Sequence, residues 1–170
     1  MLNIPVLLAT SLIWSGFWML FIALALRYFP WTLEHDYPQD VREAAAIPRP
    51  HQKQKRAATL FGGLGFFFLL LFVVLSVFWT YDLESLSLGT IFWHVFIMFM
   101  TWNLVDLLLV DWLLICLLSS KFFILANTEN CAGNKDYLFH FKGFLKGCLT
   151  MTVLAILVTG LIFLLLKLIN

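Results

Sequence analysis

Charged side chains are scarce in this chain. They supply 12% of its 170 residues, against 62% apolar ones, and the mean hydropathy is +0.91. Soluble domains carry about a quarter charged residues, so the shortage excludes an ordinary water-soluble globule and implies a membrane protein. A net charge of +1 leaves no basic face broad enough for nucleic acid. Cysteine is sparse as well: Cys116, Cys131 and Cys148 show neither C-x-x-C spacing nor an even count. That excludes a disulfide framework and predicts free, reduced thiols. The paired redox cysteines of four-span quinone-linked thiol oxidoreductases are missing too. So are an H-x-x-x-H or H-E-x-x-H metal pattern, a nucleophile elbow, a P-loop and a glycine-rich phosphate cradle. The expectation is no metal and no cofactor. No segment alternates like a barrel strand, and there are no internal repeats.

What the chain does have is long apolar runs. Four reach the roughly 20 residues that a bilayer crossing needs, at 4–26, 59–79, 91–118 and 144–169. They predict an all-α, integral membrane four-helix transmembrane bundle forming a single domain over 1–170. The third run exceeds the bilayer requirement, so it tilts or its inner end stands clear of lipid. Ala23-Leu24-Ala25 is a faint cleavage-site pattern, but no Lys or Arg precedes the first run, which is also long for a signal peptide. It reads as a span.

Basic residues segregate to the two long connections, 27–58 and 119–143. Arg27, Arg42, Arg49, Lys53, Lys55 and Arg56 mark the first; Lys121, Lys135, Lys142 and, just beyond, Lys146 mark the second. The short connection Tyr81-Asp82-Leu83-Glu84-Ser85 and the N-terminus have none, and Lys167 stands alone near the C-terminus. The positive-inside rule then puts both long connections in the cytosol and both termini outside, in an inner or plasma membrane.

Within the first connection, Asp40 with Glu43 is a loose capping-box pattern and predicts a short interfacial helix ending before Pro48. His51 to Arg56 reads as the solvated start of the second span. In the second connection, Phe122 to Leu125 is apolar enough to lie in the interface or tuck under the bundle, and 127–134 is a polar loop. Small residues at helix-packing spacing (Ser11 and Ser15, Ala58 and Gly62, Gly143 and Gly147) predict close helix contacts, within one chain or between copies. Trp14 and Trp18 share a face suited to the bundle core or lipid. His94, beside Trp93, reads as an interfacial hydrogen-bonding group.

The chemistry concentrates in the third run. A carboxylate near mid-bilayer costs about 2.5–3.5 kcal/mol, so Asp106 and Asp111 each require a partner, a proton or water. Asn103, Asp106 and Asp111 are the candidate ligand-binding residues. On an ordinary α-helix Asn103 and Asp106 lie about 60° apart, whereas Asp111 lies about 140° from Asp106, so the two acids are not expected to act as a pair. His35, Asp36 and His140 sit on connections at the same membrane face as Asp111 and are the candidate catalytic residues. With Tyr37 they are possible acid–base groups, with Arg42 or Lys142 available to a phosphate headgroup. Binding or transport of a small ion or a polar or amphiphilic ligand at the Asp/Asn site is the first functional expectation. An enzyme acting on a lipid or prenyl-type substrate at the cytosolic face is the alternative, and a non-catalytic accessory subunit the third. The expected partners are the lipid bilayer and either a homo-oligomer or another membrane protein, since the chain is short for a monomeric transporter.

Overall fold

A computed structural model describes residues 2–82 and 86–169. Its helices are α1 (Ile4–Tyr28), α2 (Gln39–Ala45), α3 (Gln52–Thr80), α4 (Leu88–Val105, continuing as a π-helix over Asp106–Leu117) and α5 (Tyr137–Ile169). Short 3-10 turns occupy Pro30–Thr32, Glu34–Asp36 and Ala132–Lys135. No strand occurs among the described residues. Four of the helices are long and apolar enough to cross a membrane, and the chain is an all-α four-helix bundle. Leu83, Glu84 and Ser85 of the short connection lie outside the described residues.

Three of these helices begin earlier than the apolar runs. Polar caps extend them into residues that hydropathy does not register. The His51 side chain and that of Gln54 form a reciprocal capping box at the start of α3, with the His51 N–H donating to Gln54 Oε1 at 3.0 Å. Ser87 Oγ accepts from the Thr90 N–H at 3.2 Å, and Asp136 Oδ1 from the Phe139 N–H at 2.9 Å.

Helix α4 is the centre of the bundle, packing against α1, α3 and α5. Its inward residues Ile91, Val95 and Met98 are fully buried, as are Val73 and Val77 of α3 and Ala155 and Ile162 of α5. Trp14 locks α1 in place: its Nε1 donates to the Leu69 carbonyl at 2.9 Å and its ring stacks on Phe99 at 5.1 Å. Trp18 meets Trp14 edge-on at 5.8 Å and stacks on Trp102 at 5.5 Å, so the tryptophan pair belongs to the core. Large apolar side chains such as Leu12, Phe67, Phe68 and Leu157 stand exposed on the outer faces, a belt that water would penalise and hydrocarbon would cover.

His94 departs from the interfacial role expected of it. It is fully buried between α3 and α4, its Nε2 3.0 Å from Ser76 Oγ and its Nδ1 3.0 Å from the Tyr81 hydroxyl. Among the small-residue pairs, Ser11 and Ser15 are buried and donate to carbonyls of their own helix. A side chain at Gly62 or Gly143 would meet nothing within 4 Å, whereas one at Gly147 would press on Asn103 of α4.

The two long connections fold against each other beneath the bundle. The buried Tyr37 hydroxyl donates to the Phe123 carbonyl, and the Asp40 carboxylate accepts from the Gly133 N–H at 2.8 Å. Asp40 therefore ties the connections together instead of capping α2, which starts behind Pro38 without a side-chain cap. A Cβ at Gly133 would lie 2.2 Å from Asp40 Oδ1 and 2.8 Å from Pro38 Cβ, so this contact requires glycine. Helix α2 ends at Ala46, whose φ of 44° turns the chain toward Pro48. Phe123, Ile124 and Leu125 are buried, while Phe122 is exposed.

Candidate functional site: a polar cleft between α1 and α5

Helices α1 and α5 each pack chiefly on α4, which forms the back wall of a gap between them. The residues around this gap enclose a cavity of about 700 Å³. Ile22 and Leu26 of α1 form one side, and Phe139, Gly143, Phe144 and Met151 of α5 the other. Leu33, His35, Asp36, Tyr37 and Phe123 close the end beneath. The back wall presents Asn103, Asp106 and Asp111 together.

That convergence corrects the angular separation expected of the two acids. From Asp106 to Leu117 the backbone is wound as a π-helix, and at its end the Leu118 N–H donates to the Leu113 carbonyl at 2.9 Å. An i→i+5 ladder brings residues five apart toward the same face, so Asp106 and Asp111 both line the cavity. An ordinary α-helix would turn one of them away.

The candidate residues then divide by partner. Asp111 Oδ1 lies 2.9 Å from His140 Nδ1, and the His140 side chain is 4% exposed. The other ring nitrogen, His140 Nε2, is buried and has no hydrogen-bond partner. His35 Nε2 lies 3.2 Å from Asp36 Oδ1 at the exposed rim. Burial at that rim raises the Asp36 carboxyl above its ordinary value, His35 pulls it down, and the charge of Asp111 pushes it up again. Desolvation, then the charges of Asp111, Asp36 and Asp106, raise the Tyr37 phenol far above its ordinary value.

Asn103 is less available than expected. Its Nδ2 donates to the Phe144 carbonyl at 3.2 Å and contacts Cys148 Sγ at 3.3 Å, bridging α4 to α5. A Cβ on Gly147 would fall 2.2 Å from Asn103 Oδ1, so glycine makes room for the bridge. Asp106 is different: its carboxylate makes no hydrogen bond or ion pair among the described residues. The His, Asp and Cys groups do not converge on a metal position, for no set of three or more such residues among the described ones could hold an ion. All three cysteines are free.

Lys142, a candidate for a phosphate headgroup, lines the same cavity, and Lys146 joins it there. Trp102 is a participant that the sequence does not indicate, and Gly147 carries only its helix-packing spacing. No protein family, curated protein or solved structure matches this chain.

Proposed function

We propose that this protein binds a small cation, or the cationic end of an amphiphile, at Asp106 inside the cleft between α1 and α5. The observation that carries the reading is an unpartnered carboxylate lining a cavity within an apolar span. Such a group is costly in a bilayer unless something supplied from outside the fold compensates it. A purely helix-bridging role suits Asn103, whose amide is already engaged, but does not explain Asp106. The basic bias of the two long connections supports a cytosolic location for the cleft's lower end, with both termini on the opposite side. Transport would use the same carboxylate as its coupling group, and the small size of the chain favours a homo-oligomer or a partner subunit in that case.

The test is titration of the purified protein in neutral detergent with dodecylammonium. Asp106→Asn should weaken binding by about tenfold or more, the loss expected for one charge-assisted contact, while helical content and thermal stability hold. Unchanged affinity, or a variant that fails to assemble, would instead favour a structural aspartate.

A second reading rests on the Asp111–His140 pair. A carboxylate that fixes an imidazole while leaving the far nitrogen free is the arrangement of a general base. Among the described residues no Ser, Thr or Cys lines the cavity, and water or a substrate hydroxyl is the nucleophile that His140 would activate in this reading. This enzyme reading requires His140→Gln to abolish turnover of an amphiphilic ester while Asp106→Asn has the milder effect.

A further inference from the structure

The cleft's polar atoms divide by hydrogen-bonding role. Two of the unused acceptors bear on the ligand. One is the Asp106 carboxylate. The other is His140 Nε2, buried and without a partner: in the tautomer that donates Nδ1–H to Asp111, Nε2 carries a lone pair. Of the fixed donors nearby, the Tyr37 hydroxyl donates to Phe123 and the Asn103 amide to Phe144, which leaves the neutral Trp102 indole N–H. The charged donors on the lining residues are those of Lys142 and Lys146. These stand four residues apart, on one side of α5, and neither forms an ion pair with a described acid. Opposite charges thus line one cavity without neutralising each other. Between them the wall is apolar, with Trp102, Leu107, Phe144 and Met151.

A bare cation would satisfy Asp106 but would be repelled by the lysines. A plain anion would satisfy the lysines and be repelled by Asp106. We infer that the cleft takes a zwitterionic amphiphile of the phosphoethanolamine type. Its primary ammonium donates to Asp106 and His140 Nε2, its phosphate meets Lys142 and Lys146, and its chains lie along the apolar wall. Resting on the cation site proposed above, the assignment adds a requirement for N–H donors, which a quaternary choline headgroup lacks.

The full chain in maltoside micelles is titrated with short-chain phosphatidylethanolamine, phosphatidylcholine and phosphatidate, with soluble phosphoethanolamine and with dodecylammonium. Phosphatidylethanolamine should bind about tenfold tighter than the choline lipid or phosphatidate. Soluble phosphoethanolamine, lacking chains, should bind weakly; equal affinity would overturn the amphiphile assignment. Lys142→Gln with Lys146→Gln should weaken the ethanolamine lipid but tighten dodecylammonium, whose repulsion by the lysines is relieved, and Asp106→Asn should weaken both. In ¹⁵N-histidine spectra the His140 Nε2 signal should move with the ethanolamine lipid and stay in place with the choline lipid. Equal affinity for the two lipids, or an unmoved His140 signal with ethanolamine lipid bound, would overturn the inference. If dodecylammonium binding still depends on Asp106 in that event, the headgroup assignment alone fails. If it does not, the cation site fails with it.

Discussion

Asn103 and Gly147 act as one unit at the level of single residues. The amide spans α4 and α5 because no side chain occupies the space opposite it. Gly147→Ala should push the amide aside and cost about 1–3 kcal/mol, measured by thermal or denaturant unfolding in micelles. Gly143→Ala, one turn away with open space around it, should be neutral or slightly stabilising. Tyr37 makes a prediction about alkaline pH. Its phenol titrates higher in the folded protein than the ordinary value of 10.0. Its contribution is therefore fully present below pH 10 and is lost as the pH rises beyond, because the unfolded chain ionises first. Stability measured from pH 9 upward should fall more steeply in the native chain than in Tyr37→Phe, which lacks the titrating group; equal slopes would contradict the buried phenol.

At the scale of elements, the winding of α4 decides the chemistry. The π-segment places Asp111 against His140 while keeping Asp106 on the cleft wall. Deleting Leu109 leaves the two acids four residues apart, a spacing that an ordinary α-helix holds within about 40°. The Asp111–His140 contact should then survive without the π-winding, with the His140 Nδ1 resonance unchanged, whereas inserting one alanine after Leu109 should break it and move that resonance. The sequence made the helices legible because length and apolarity alone specify a span, and caps such as His51 with Gln54 added only their solvated turns. It also brought His35, Asp36, Asp111 and His140 to one end, through the bias of basic residues between connections. The π-winding was not legible. Apolar residues surround α4 on every side, so no periodicity in 106–117 distinguishes one helical pitch from another. Nor did the local pattern at Asp40 and Glu43 reveal that Asp40 is used by Gly133, 93 residues away.

On the scale of the whole molecule, the gap between α1 and α5 matters more than any one helix. It exists because α4 stands behind both neighbours, and the joined connections close its lower end. Proposed topology puts that end in the cytosol. Cys131, partly exposed in the second connection, should therefore react with a membrane-impermeant maleimide only in inverted vesicles or after lysis, whereas an N-terminal tag should be reached from outside. The reverse labelling pattern would invert the orientation.

The stapled connections have one more consequence. Helices α1 and α2 are held to the rest by Trp14 on Leu69, Tyr37 on Phe123 and Asp40 on Gly133, all of them non-covalent. The peptide from Ala46 to His51 thus serves as a leash, whose severance should be tolerated. Co-expressed fragments 1–47 and 48–170 should assemble and copurify as a two-piece protein. Gly133→Val in the larger fragment should prevent that reassembly.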